Sequence, residues 1–253
     1  LLDGAADQLG DAVAHHRPAG VGEGSGAQER GDRRGVVGEE RRGEVGPQAR
    51  EGVPARLIGF LTDISRDVAL DRIGEILAGR FTEEHRVLLD VEVLRGGQRV
   101  FRTTVLNDVV VNKGELGRMI EFDLRIDGEF VYTQRSDGMI VSTPTGSTAY
   151  ALSANGPILH PSVEGIALVP MCPHTLTARP ITLPDSCRIE IVLQPPHDSR
   201  VHFDGQTRFD TRAGDTVRIT RSPHRVRLLH PTGYSYFAML REKLHWSSTP
   251  RHG

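Results

Sequence analysis

From Arg86 onward, apolar and polar residues alternate with a period of two, the pattern of strands that turn one face to a core. Residues 86–94 and 99–112, rich in Val, Leu and Thr and separated by "RGGQ", read as a hairpin. A second hairpin joins residues 119–126 to 129–134 through Asp127-Gly128, a pair suited to a type I′ turn because both central residues need positive φ. Further strands are expected at residues 138–142, 166–171, 188–193, 200–204, 216–220 and 225–229. Many short strands punctuated by Gly, Pro and Asp predict a sandwich-like β domain. Upstream, "LIGFLTDIS" at 57–65 reads as a short buried strand or turn that leads into a helix. In that helix Val68, Ile73, Ile76 and Leu77 fall near helical spacing, Ser65 can cap and Gly79 can stop. Residues 234–246 predict a terminal helix.

Before residue 57 the pattern vanishes. Residues 1–56 contain no Phe, Trp, Tyr, Ile or Met, and their three Leu and six Val follow neither period. With twelve Gly and dense Arg, Glu and Asp, the segment buries too little apolar surface to offset an ordering cost of about 1–2 kcal/mol per residue, so disorder is expected. The chain starts with Leu, which suggests a fragment, a mis-assigned start or an out-of-frame translation. At 253 residues the whole has room for one large or two modest domains. A net charge of -2 provides no field to hold a polyanion, so a dedicated nucleic-acid binder is disfavoured. Neither a secretory signal nor a run of about 18 apolar residues occurs, which predicts a cytoplasmic protein without a membrane partner. Two cysteines, Cys172 and Cys187, are too few for a disulfide framework.

Chemistry concentrates where the β pattern breaks, at "SDGMIVSTPTGSTAYALSANGPI" (136–158). A strand runs into a turn with Pro144 and Gly146, then a short helix from about Ser147 whose start is crowded with hydroxyl residues. Such an end can receive phosphate, ribose or base-edge contacts, or its hydroxyls can simply cap the helix. Asp137 is similarly open: a turn residue before Gly138, or a carboxylate aimed into a cleft. His174 and Cys172, split by Pro173, read as a structural loop rather than a metal or nucleophilic pair. The arginines between residues 200 and 227 read as the solvated face of a sheet.

Four blocks in order, "NDVVVNKG" (107–114), the 136–158 segment, "VPMCPHTLTARPITLP" (169–184) and "FDGQ" (203–206), resemble the NAD kinase family. The likeness runs from about Gly59 to His245. It implies an α+β fold: a mainly β, sandwich-like C-terminal domain, preceded here by a truncated N-terminal α/β nucleotide-binding part. The corresponding divisions are residues 1–56 (outside the family), 57–85 (remnant of the α/β part), 86–230 (β-rich, NAD-binding) and 231–253 (terminal helix and tail). The resemblance further implies phosphorylation of the 2′-hydroxyl of the adenosine ribose of NAD to give NADP. It implies ATP or polyphosphate as donor, a divalent cation such as Mg2+, and a homodimer or homotetramer. Carried over residue by residue, Asn107 and Asp108 match the pair that holds adenosine. Thr145, Thr148, Ala149, Tyr150, Ala151, Leu152 and Ser153 match the stretch that contacts the dinucleotide. Arg118, Arg135, Asp137 and Gln206 match further ligand-contacting positions.

The chain departs from the family in lacking the Gly-Gly-Asp-Gly motif whose Asp is the family's proposed base, so no catalytic residue is assigned. Loss of general-base help alone costs about 10²–10⁴ in rate, which predicts impaired turnover. Two readings stay open: an NAD kinase with an altered N-terminal region, or a noncatalytic pyridine-nucleotide-binding or oligomerising remnant.

Overall fold

The computed structural model describes residue 64 and residues 68–114, 118–175, 177–196 and 199–246. The expectations for residues 1–56, and nearly all of that for the strand entry at 57–65, lie outside them.

Alternation along the chain becomes two antiparallel six-stranded sheets. The first has the order β2-β1-β12-β9-β4-β5, where β1 is Phe81–Arg95, β2 Gln98–Val105, β4 Ile120–Ile126, β5 Glu129–Ser136, β9 Ile189–Leu193 and β12 Thr216–Pro231. The second has the order β11-β10-β3-β6-β7-β8, where β3 is Asp108–Lys113, β6 Gly138–Ser142, β7 Gly165–Met171, β8 Ile181–Pro184, β10 Ser199–Phe203 and β11 Thr207–Thr211. The inner faces meet in one core: Leu89, Phe122 and Ile191 from the first sheet pack in the same cluster as Val109, Val141 and Leu168 from the second. Each fully buried aliphatic or aromatic side chain there contributes about 1.5–3 kcal/mol. The expected sandwich is therefore present.

The second sheet is also covered on its outer face. Val110, Ile140, Ala167 and Val169, which alternate with the core residues, pack under Ala151 and Leu159. Ala151 lies on α2 (Tyr150–Ser153), a single turn that follows a 3-10 turn at Gly146–Thr148. Burial on both faces explains why β6 reads as continuous apolar sequence rather than as an alternation.

Several details depart from the sequence reading. The second arm of the first hairpin, expected over 99–112, is two strands in different sheets: the chain leaves β2 at Val105 and enters β3 at Asp108. β12 is one strand where two were expected, because "SPH" (222–224) is taken up by a register shift opposite β1 between Val87 and Leu89. β8 and β11 had no counterpart, being short and, in β11, largely polar. Asp127 and Gly128 do turn with positive φ, at 53° and 89°. Gly79 follows α1 (Ala69–Leu77) at φ 79°, as a helix stop should. Helix α1 buries none of its residues, and Leu70 and Leu77 are more than four-fifths exposed. Near the end of the chain α3 (Tyr236–Lys243), capped by the Ser235 hydroxyl, docks Tyr236, Met239 and Leu240 against Ile158.

Candidate functional site

The site starts from the change of sheet at Leu106 and Asn107. Where the chain leaves one ladder and opens the next, the N–H groups of Leu106, Asn107 and the first residue of β3, Asp108, need partners from elsewhere. The Asp204 carboxylate receives all three: Leu106 N–H at Oδ2 (2.9 Å), and Asn107 and Asp108 N–H at Oδ1 (2.7 and 3.1 Å). Asp204 N–H in turn donates to the Asp108 carbonyl (3.0 Å). On the carbonyl side, the Thr143 hydroxyl donates to Leu106 O (2.6 Å) and lies 3.2 Å from Asn107 O, which also accepts Thr143 N–H (2.9 Å). The corner is thus fixed through its backbone from two directions.

Gly146 lies directly over this corner. A Cβ there would overlap the Asn107 carbonyl group, so only glycine lets the turn approach so closely. The hydroxyls of the block are largely committed to the turn itself. Thr143 Oγ1 accepts Gly146 N–H (3.1 Å), Ser147 Oγ donates to Pro144 O (2.6 Å) and accepts Leu159 N–H (3.0 Å), and Thr148 Oγ1 donates to Thr145 O (3.2 Å). The N–H groups of Ser147 and Ala149 are bonded to Thr143 O and Gly146 O. These hydroxyls brace the turn by bonding to its own backbone, while neither the 3-10 turn nor α2 has a side-chain hydrogen bond at its N-cap.

What remains open to a ligand is more selective. Ala149, Tyr150 and Ser153 are exposed, with Tyr150 at 46%. Leu152 is half-buried, while the Ala151 side chain fills the apolar cluster beneath α2. Asn107 is half-buried and its side-chain amide makes no hydrogen bond among the described residues. Asp108 is buried, and burial first, then the negative charge of Asp204, pushes its carboxyl up to about 6. Gln206 is exposed in the turn that begins at Asp204.

Arg86 was not singled out from the sequence, yet it reaches this site from the other sheet. It is 4% exposed; Nη1 donates to Thr145 Oγ1 (3.3 Å) and Nη2 to Glu84 Oε2 (2.8 Å), which also takes His230 Nε2 (2.8 Å). Among the described residues Arg86 Nε has no partner, so among them the guanidinium is incompletely satisfied where it supports Thr145. Asp204 was likewise missed as an individual residue, although its "FDGQ" block was noted.

The remaining expected residues lie elsewhere. β3 and β6 pair antiparallel, with Asp108 opposite Ser142 and Asn112 opposite Gly138. The Asn107–Thr145 end is therefore separated from the Asp137 end by four residues of strand rise, about 13 Å. At the far end Asp137 is held by Lys113 Nζ (2.9 Å), its N–H donates to Met171 O, and Arg135 is exposed while its carbonyl accepts His174 N–H. Arg118 is exposed just before β4. Among the described residues no group of three or more His, Cys, Asp or Glu side chains is placed to hold a metal ion, and no step is assigned to one.

The family model "ATP-NAD kinase C-terminal domain" matches residues 106–231, a span that holds the corner, the glycine-dependent turn above it and most of the sandwich. The NAD kinase of Aromatoleum aromaticum is 76% identical over 200 residues, covering 79% of this chain and 67% of that protein. The NAD kinase of Azoarcus sp. (strain BH72) is 75% identical over 201 residues, covering 79% and 68%. By fold, yeast NADH kinase, solved with NADH, superposes with a TM-score of 0.72 at 28% identity over 77% of this chain and 59% of that one. An NAD kinase from Archaeoglobus fulgidus, solved with ATP, gives a TM-score of 0.59 at 26% identity, covering 74% and 70%. This chain belongs to the NAD kinase family. It spans about two thirds of the length of those curated relatives.

Proposed function

We propose that this chain binds NAD by its adenosine half at the Asn107–Asp108 corner, as the acceptor-binding part of a kinase that phosphorylates the 2′-hydroxyl of the adenosine ribose to give NADP. The observation that carries the reading is the corner itself: an unengaged amide beside a buried carboxyl, on backbone fixed by Asp204 and Thr143. An amide offers both a donor and an acceptor to an exocyclic amine and ring nitrogen, and a carboxylate accepts from ribose hydroxyls. Tyr150 offers a ring for a planar ligand, with Thr145, Thr148, Ala149, Ala151, Leu152, Ser153 and Gln206 around it. The relatives solved with NADH and ATP support a pyridine dinucleotide as acceptor and ATP as donor, with polyphosphate as the other donor the family resemblance implies.

Arg118, Arg135 and Asp137 complete the proposed set, and the family resemblance implies a homodimer or homotetramer. The reading places the protein in the cytoplasm; among the described residues no helix is long and apolar enough to cross a membrane. The domain divisions at residues 56, 85 and 230 belong to the same proposal.

Phosphoryl transfer depends on positioning and on electrostatic stabilisation of the phosphates. The 253 residues hold the acceptor side but no Gly-Gly-Asp-Gly motif, so the reading includes impaired turnover. Purified chain, verified by mass from Leu1, is expected to form no measurable NADP from NAD and ATP. Grafting a Gly-Gly-Asp-Gly strand-helix unit ahead of Gly59 is expected to restore it. Turnover by the ungrafted chain at a rate normal for the family refutes the impairment. The noncatalytic, oligomerising reading is favoured by one observation, the exposed Leu70 and Leu77 of α1, and a grafted chain that stays inactive while binding NAD would support it.

A further inference from the structure

We propose that Asp204 is a positioning residue for the acceptor: by receiving the N–H groups of residues 106–108 it holds Asn107 and Asp108 in the conformation that takes adenosine. This rests on the reading of the Asn107–Asp108 corner given above. Leu106 and Asn107 lie between two ladders and Asp108 opens the second, and the two carboxylate oxygens of Asp204 take their three successive N–H groups at 2.9, 2.7 and 3.1 Å. A carboxylate is the one short side chain with lone pairs enough for all three, and the charge strengthens each bond. The residues joined are 96 to 98 positions apart, so this bond set ties the turn between β10 and β11 to the start of β3.

The local backbone is shaped for this role. Asp204 has φ 50° and Gly205 φ 67°, a tight left-handed turn that Asp tolerates through its short polar side chain. The Asp204 N–H closes the arrangement by donating to the Asp108 carbonyl (3.0 Å). A turn alone would be served equally by asparagine, and without placing a second negative charge beside Asp108. Asp204 bears that repulsion, one of the two causes of the raised Asp108 carboxyl, which is consistent with a requirement for two acceptor oxygens at this point. Nothing in this arrangement places Asp204 itself against the ligand: it acts through the backbone of Asn107 and Asp108.

The test uses the full chain with Asp204→Ala, Asp204→Asn and Asn107→Ala, singly and as the Asp204→Ala/Asn107→Ala pair. Amide hydrogen exchange at residues 106–108 is expected to speed by at least about tenfold in Asp204→Ala while Val110, inside the ladder, stays protected. NAD affinity measured by calorimetry is expected to fall about tenfold or more in Asp204→Ala and less in Asp204→Asn, which keeps one acceptor oxygen. In the Asn107→Ala background the loss caused by Asp204→Ala should shrink, because the two residues act on one contact. Unchanged exchange at 106–108 in either Asp204 variant overturns the proposal, as does a fully additive loss in the pair. If Asp204→Ala fails to fold, Asp204→Asn and its exchange pattern decide. If Asn107→Ala leaves NAD affinity intact while the Asp204 variants loosen 106–108, the site reading has failed: the clamp stands, but its role toward ligand is refuted.

Discussion

The two ends of the β3–β6 pair carry related motifs but are built differently. At the Asp108–Ser142 end, Asp108, Ser142, Thr143, Thr145, Ser147 and Thr148 are all buried, and their backbone is tied by hydroxyls, by Gly146 and by the Asp204 carboxylate. At the Asn112–Gly138 end, Gly138 makes an equally close approach, to the Val111 carbonyl, but the charged side chains are held by a single half-exposed ion pair, Lys113 to Asp137, and Arg135 is free to solvent. The backbone bonds are thus concentrated at the end that carries Asn107 and Asp108, while the charge at the other end sits on half-exposed and exposed side chains.

The largest effect should come from Gly146→Ala. Its Cβ would overlap backbone rather than a movable side chain, so the turn or the corner has to shift, at about 3 kcal/mol or more, with loss of NAD binding. Urea unfolding measures the first part and calorimetry the second; unaltered stability would mean that the two segments are not packed this closely.

Asp108→Asn should separate stability from binding. The carboxyl is raised from 3.8 to about 6 by burial and by Asp204. The fold therefore binds this proton more tightly than the unfolded chain does. The resulting stability is fully present below about pH 4 and is lost as pH rises through about 6. Asn removes the cost of the buried charge, so the variant should be more stable than the parent by up to about 3 kcal/mol at pH 7.5 and by nothing extra near pH 3.5. It should nevertheless bind NAD more weakly. Equal unfolding free energies for parent and variant across that range would contradict the buried, charge-opposed position of Asp108.

Smaller effects are expected from Arg86→Met, which leaves Glu84 and Thr145 without their guanidinium partner. Breaking a buried ion pair costs about 3–5 kcal/mol when the lone charge stays buried, but Glu84 is one-fifth exposed and keeps His230, so about 2 kcal/mol is expected. Thermal melts compared with Arg86→Lys would show the change. The smallest is Lys113→Ala at the other end: a part-exposed pair is worth about 0–1 kcal/mol, and a loss above about 2 kcal/mol would show that the two ends are not so differently built.

The sandwich was legible because alternation survives wherever one face meets the core: the strand expected over 86–94 falls within β1, which begins earlier at Phe81, and that expected over 188–193 contains β9. It failed where tertiary pairing overrode local pattern. "SPH" within β12 looks like a turn but is absorbed by the bulge opposite Val87 and Leu89, and residues 99–112 look like one strand but change sheets at Leu106 and Asn107. The Asn107–Asp108 corner was legible only through family motifs. Asp204 and Arg86 were not, since a carboxylate in a turn and an arginine on a strand look generic until the chain brings positions 96 and 59 residues away beside them.

The central claim is that Asn107 and Asp108 bind the adenosine of NAD, and calorimetric titration of NAD into the parent chain and the Asn107→Ala/Asp108→Ala variant tests it most directly. Losing hydrogen bonds worth about 0.5–1.5 kcal/mol each predicts roughly tenfold or greater weakening for the pair, with both proteins folded by circular dichroism. Equal affinity for parent and variant would remove these residues from the site.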